Sequence, residues 1–173
     1  MTDEQDAIHH RVFLGLGSNI GDRDAHLAAA LKALAAVVMV ERISSVYDTA
    51  PMHYTNQPRF HNLVCEAETS LAPVALLQSM KEIERRLGRT QGPRYGPRVI
   101  DIDLLFYDHL VLQSDALTLP HPRLPERAFV LAPLAEIAPM LTHPVLGDTM
   151  AVLLQRAPAS DVQRVGPLPH AER

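Results

Sequence analysis

Between residues 11 and 106 the spacing of apolar side chains alternates between period two and period 3.6, and that order constrains the fold more than any composition figure does. "RVFLGLG" (11–17) predicts a strand. "DAHLAAALKALAAV" (24–37), rich in Ala and Leu, predicts a helix. "VERISSVYDT" (40–49), dense in β-branched residues, and the alternating "FHNLVCEAET" (60–69) predict two more strands. "PVALLQSMKEIERRLG" (73–88) sets Leu76, Met80, Ile83 and Leu87 at helical spacing. Pro73 suits its first turn and Gly88 its C-cap. In "RYGPRVIDIDLLFYD" (94–108), Ile100, Ile102, Leu104 and Phe106 alternate as in a strand.

The order β-α-β-β-α-β predicts an α+β, ferredoxin-like core, an antiparallel sheet with both helices on one face and the other face open. Leu63, Cys65 and Ala67 are then expected toward the helices, together with Ile100, Ile102, Leu104 and Phe106. Phe60, Asn62, Val64 and Glu66 are expected on the open face, with Asp101 and Asp103. A turn-rich, Pro-rich segment (107–125) leads to a predicted helix at 127–138, despite Pro133, and to a last one at 149–156. Neither a repeat nor a long linker divides the chain. A single domain over residues 1–173 is expected, with residues 1–9 and the Pro-rich 157–173 as loose termini.

Composition narrows the function classes. A 47% hydrophobic content fits a folded chain, and a single Cys65 excludes an internal disulfide framework, which suits a reducing compartment. The N-terminus "MTDEQDAIHH" does not read as a signal peptide, and no apolar run approaches the ~20 residues of a membrane span. The net charge of −4 argues against general nucleic-acid binding. The expectation is a cytoplasmic monomer that binds neither nucleic acid nor membrane.

Asp101 and Asp103 carry the chemistry. Residues two apart on a strand are roughly 6.6 Å apart along the backbone, close enough for both carboxylates to serve one cation or a pair. Mg²⁺ is commonly held by one or two carboxylates completed by substrate phosphates. Alone, D-x-D is also what two solvated surface charges look like. Directly before it, however, residues 85–98 hold five arginines and no acid, broken by Gly88, Gly92, Pro93, Gly96 and Pro97. Arginine forks beside metal ligands are a standard means of stabilising a transferring phosphoryl group.

Six segments in order, "LGLGSNIGDR", "SSVYDTAPM", "FHNLV", "IERRLGR", "GPRVIDIDLLFYD" and "LPHPRLPERAFVLAPLAEIAP", resemble the 6-hydroxymethyl-7,8-dihydropterin pyrophosphokinase family over about Val12 to Gly147. The resemblance implies that the substrate's hydroxymethyl oxygen attacks the β-phosphorus of ATP, so that diphosphate moves to the pterin and AMP leaves. It implies two Mg²⁺ ions between Asp101, Asp103 and the triphosphate, with Arg89 and Arg98 as the other catalytic groups. Either aspartate is also a candidate to take the hydroxyl proton, and no dedicated base is assigned. Arg89, Arg98 and Arg127 match arginines that handle the triphosphate, His121 a phosphate-side histidine, and Glu84 a position of the nucleotide site. Phe60 and Phe129 match aromatics that sandwich the pterin, and Asn62 an asparagine that bonds its edge. Thr49, Pro51 and Met52 match backbone that completes the pocket, and Tyr95 an aromatic lid. The basic loop is about one residue shorter than in the best-known members. Gln91 stands where an arginine is common, which leaves Arg94 as the candidate replacement.

Two other readings fit less well. "GLGSNIG" follows a strand and precedes a helix as in dinucleotide-binding folds. Its glycines are spaced G-x-G-x-x-x-G, though, and the elements after residue 40 form a hairpin rather than β-α-β. An RNA-binding module also uses an open sheet face, but "RFHNLVCE" lacks the basic–glycine–aromatic pattern that stacks bases.

Overall fold

A computed structural model describes residues 8–169. The chain runs β1 (His10–Ser18), α1 (Arg23–Leu34), β2 (Met39–Ile43), β3 (Val46–Thr49), β4 (Phe60–Thr69), α2 (Pro73–Arg86) and β5 (Asp101–Tyr107). After these come a small hairpin, β6 (Leu112–Gln113) and β7 (Thr118–Leu119), a 3₁₀ turn (Leu124–Glu126), α3 (Ala128–Ile137), α4 (Met150–Arg156) and β8 (Val162–Gly166). The main sheet is ordered β5-β1-β4-β3-β8, with β2 also pairing β4, and all of its pairs are antiparallel. Its β-α-β-β-α-β core has the ferredoxin-like arrangement.

Local chemistry sets the two helices that cover the first face. The Asp22 carboxylate accepts the Ala25 N–H at 3.1 Å and caps α1, with Asp24 in the first turn and Lys32 in the last. Leu27, Ala30 and Leu34 form its buried stripe. Pro73 opens α2, and Leu76, Met80 and Ile83 are buried along one side. Gly88, at φ +97°, takes the left-handed position that ends that helix. These stripes pack on Leu63, Cys65, Ala67, Ile100, Ile102 and Leu104 of the sheet.

The opposite face is only partly open. Phe13, Val64, Leu105 and Phe106 form a second core with Val130, Leu131 and Leu134 of α3 and with Met150 and Leu153 of α4. Phe106, expected toward α1 and α2, therefore lies on the other side. The β1–β5 register passes from Leu14↔Leu104 to Phe13↔Phe106, so Leu105 is an extra residue in a β-bulge. Beyond a bulge the alternation is displaced by one position, and Leu105 and Phe106 share a face.

Two other segments differ from expectation. The strand expected over 40–49 is broken at Ser44–Ser45. There the Ser44 hydroxyl accepts the Val64 N–H, while Glu136 of α3 accepts both the Ser45 N–H and its hydroxyl at 2.9 Å. Residues 157–173, expected as a loose tail, contain β8, which extends the sheet against β3. Asp161 anchors its start, with its carbonyl accepting the Ala50 N–H at 3.0 Å and its carboxylate bonded to Arg59 at 2.6 Å.

Candidate active site

The uncovered part of the second face forms the floor of a cavity of about 300 Å³. Strand β5 presents Asp101 and Asp103 to it, and β4 presents Phe60 and Asn62. Met52 comes from the β3–β4 loop, Arg89, Tyr95 and Arg98 from the loop after α2, His121 and Arg127 from the approach to α3, and Phe129 from the first turn of α3. Residues spread over the sequence from 52 to 129 thus meet in one space.

Three expected site residues do not line it. Thr49 is buried behind Asn62 and accepts its amide N–H at 2.7 Å, which fixes the amide's orientation. Pro51 is outside the lining, although Ala50 and Met52 on either side belong to it. Glu84 is 4% exposed and lies beneath the aspartates. Its Oε1 accepts the N–H of Ile102, between the two aspartates, at 2.7 Å, and its Oε2 accepts from Arg89. Burial, opposed by the Ile102 N–H, raises the Glu84 carboxyl above the usual carboxylate range, and the Asp101 charge adds to the rise. Glu84 also borders a second, basic cavity of about 410 Å³ with Lys81, Arg85, Arg89 and Arg98.

The aspartates sit between guanidinium groups. Arg89 Nη1 is 3.5 Å from Asp101 Oδ1, and Arg127 Nη1 is 4.0 Å from Asp103 Oδ2. Burial, then the Asp101 charge, push the Asp103 carboxyl up to about 7 against the pull of Arg127. The pair is an undersatisfied negative site facing an open space, and such a site gains from a cation. Among the described residues no cluster of three or more His, Cys, Asp or Glu side chains could hold a metal ion. Two carboxylates alone suit Mg²⁺ completed by phosphate oxygens.

His121 is of the opposite kind. Burial, then the charges of Arg127 and Arg123, push its imidazole down to about 4, so the ring is neutral at physiological pH. Nδ1 accepts the Arg123 N–H at 3.3 Å, which assigns the ring proton to Nε2 and leaves it as a donor.

Sequence reasoning missed Gly17, His53 and Arg123. Gly17 belongs to the cavity floor, where β1 pairs with both Asn62 and Asp101. A Cβ at Gly17 would lie 2.5 Å from Asn62 Oδ1, so the glycine is there for space and not for a nucleotide-binding turn. His53 stacks on Tyr95 with centroids 4.4 Å apart. Arg123 donates to the Tyr95 hydroxyl. No spacing signal marks either residue, because each acts across tens of intervening residues.

The family described as 7,8-dihydro-6-hydroxymethylpterin-pyrophosphokinase (HPPK) matches residues 13–139. A 2-amino-4-hydroxy-6-hydroxymethyldihydropteridine pyrophosphokinase of Methylorubrum extorquens is 45% identical over 157 residues, which are 90% of this chain and 98% of the relative. One from Bacillus subtilis is 47% identical, covering 72% of this chain and 76% of the relative. The mitochondrial folate synthesis bifunctional protein of Arabidopsis thaliana is 46% identical over 87% of this chain, which spans only 27% of that longer protein. Among solved structures, Plasmodium falciparum HPPK-DHPS superimposes with a TM-score of 0.72 at 16% identity, over 88% of this chain and 46% of that one. The fold likeness, the match over most of the chain and a relative aligned nearly end to end agree: the chain belongs to the 7,8-dihydro-6-hydroxymethylpterin-pyrophosphokinase family.

Proposed function

We propose that the protein transfers diphosphate from ATP to the hydroxymethyl group of 6-hydroxymethyl-7,8-dihydropterin and releases AMP, as a step of folate synthesis. The hydroxymethyl oxygen forms a bond to the β-phosphorus while the bond from that phosphorus to the oxygen bridging the α-phosphate breaks. The hydroxyl proton passes to water, and the bridging oxygen leaves on AMP. The observation that carries the reading is a single cavity that joins Asp101 and Asp103, flanked by Arg89, Arg98 and Arg127, to Phe60, Asn62 and Phe129.

Each group has a part. Phe60 and Phe129 offer aromatic faces for a flat bicyclic ring, with Tyr95 above it. Asn62, its amide oriented by Thr49, can donate to and accept from the ring edge, while Pro51 and Met52 carry backbone groups to the same end. Arg89, Arg98 and Arg127 bind triphosphate oxygens, and neutral His121 adds one N–H donor. Asp101 and Asp103 would hold two Mg²⁺ ions, which when bound neutralise charge on the transferring group. Glu84 holds Arg89 and the backbone between the aspartates in place for the nucleotide. Positioning of the two substrates supplies much of the remaining acceleration.

Among the described residues no helix is long and apolar enough to cross a membrane. A cytoplasmic monomer completes the proposal. The test is an end-point assay for AMP with Mg²⁺-ATP, with and without the hydroxymethyl dihydropterin. AMP release that requires the pterin is expected, and AMP release indifferent to it overturns the reading. Light scattering during size exclusion checks the monomer.

A further inference from the structure

Tyr95 is held from three directions. It is in the left-handed region at φ +63°, where a non-glycine residue needs support from its surroundings. Its carbonyl accepts the Gln57 side-chain N–H at 2.7 Å, and its ring lies against His53, both from the β3–β4 loop. The Arg94 guanidinium stands 5.1 Å from its ring centroid, within its own loop. The third support is Arg123, from the phosphate-side loop. Its Nη1 donates to the Tyr95 hydroxyl, and its guanidinium carbon is 5.3 Å from the ring centroid.

Arg123 is half-buried, and no carboxylate pairs with it among the described residues. It does not itself line the main cavity, and its guanidinium hydrogen-bonds the tyrosine. Its backbone N–H, meanwhile, holds Nδ1 of His121. One residue therefore joins a phosphate-side donor to the aromatic that closes the other end of the cavity. A guanidinium that meets both the hydroxyl and the face of one tyrosine restrains ring position and tilt together.

We propose that Arg123 is a positioning residue that latches Tyr95 over bound pterin. The proposal rests on the reading of the cavity as a pterin site. Without the latch, Tyr95 keeps its backbone support and its ring contacts with His53 and Arg94, but loses the contact that ties its hydroxyl to the phosphate-side loop. Pterin then dissociates faster from the enzyme that already holds nucleotide, whereas nucleotide binding alone is unaffected.

The experiment is calorimetric titration of 6-hydroxymethylpterin, an oxidised form of the substrate that keeps its hydroxymethyl group, into enzyme saturated with Mg²⁺ and a non-hydrolysable ATP analogue, which blocks transfer. Wild type, Arg123→Ala, Arg123→Lys, Tyr95→Phe and the Arg123→Ala/Tyr95→Phe double variant are compared, with KM and kcat measured for each. Arg123→Ala is expected to weaken pterin binding about tenfold, from the loss of one charge-assisted hydrogen bond and one cation–π contact. KM for pterin should rise in step with kcat within about twofold of wild type, and the affinity for the ATP analogue alone should hold. Arg123→Lys, which keeps the cation over the ring, should recover part of the loss. The double variant should fall short of the product of the two single effects, since both remove the same contact. Multiplicative effects, or a loss that falls on the ATP analogue instead, overturn the latch. Loss of both affinities with a lower melting temperature and no rescue by lysine marks a folding role and overturns it too. Wild-type enzyme that fails to bind the pterin overturns the proposed function itself, an outcome separable from all of these.

Discussion

Replacing Asp103 by asparagine separates a ligand-binding carboxylate from a structural one, because the two roles predict opposite signs. The substitution keeps shape and removes charge. Asp101 lies about 7 Å away along the strand, where two carboxylates repel by about 0.6 kcal/mol in water and about 2.4 kcal/mol at an effective dielectric near 20. Arg127, 4.0 Å from Asp103, opposes this. Burial and Asp101 prevail, since the carboxyl is pushed up to about 7. A carboxyl raised in the folded state contributes stability that is fully present below its unfolded value near 4 and is lost as pH rises through 7. The side chain is 34% exposed, so solvent screening keeps the effect within the Coulomb range just given. In EDTA at pH 8, Asp103→Asn should therefore melt at the wild-type temperature or slightly above it, each kcal/mol being worth about 2–4 °C in a chain of this size. The difference should vanish near pH 4. Turnover at saturating Mg²⁺-ATP should fall about a thousandfold, corresponding to roughly 4 kcal/mol of lost transition-state stabilisation. An Asp103→Asn protein that melts several degrees lower in EDTA yet turns over near the wild-type rate would refute the argument.

Three further outcomes are expected. Phe60→Ala and Asn62→Ala should each weaken pterin binding at least tenfold and leave the ATP analogue's affinity within about twofold by titration, as hydrogen-bond and stacking losses at one end of the cavity require. Gly17→Ala puts a methyl 2.5 Å from the Asn62 amide oxygen, so it should raise the pterin KM with little change in that for ATP, and equal changes in both count against the close approach. His121, pushed down to about 4, costs the folded state stability as pH falls from about 6.5 to 4, so His121→Gln should flatten the acid side of the melting-temperature profile across that window.

Much of the framework was legible from periodicity, because one-sided burial writes alternation into a strand and a stripe into a helix. Leu63, Cys65 and Ala67 on β4 and Leu76, Met80 and Ile83 on α2 follow that rule. It fails where a residue's environment is not set by its own element. The edge strand β8, "VQRVG", buries little, so its composition looks like that of a tail. The Ser44–Ser45 break depends on Glu136, 91 residues away from Ser45. At the site, the paired aspartates and the arginine loop show in the chain itself, whereas the aromatic and asparagine positions came from resemblance. Arg123 came from neither, since its partner Tyr95 lies 28 residues off and nothing periodic connects them.

The extra residue at Leu105 bears on which changes this strand can absorb. It allows β5 to present two carboxylates to the cavity and, within the same few residues, to turn two apolar side chains toward α3, the helix that bears Phe129 and follows directly on Arg127. Deleting Leu105 would give a tidier alternation on paper and a poorer protein, with one side chain where the helix now rests on two. Substitutions along β5 alter what is displayed, but insertions and deletions alter how far along the strand display stops and support begins. A scan of single-residue deletions should therefore find this stretch far less forgiving than a scan of conservative replacements, even at positions remote from either substrate.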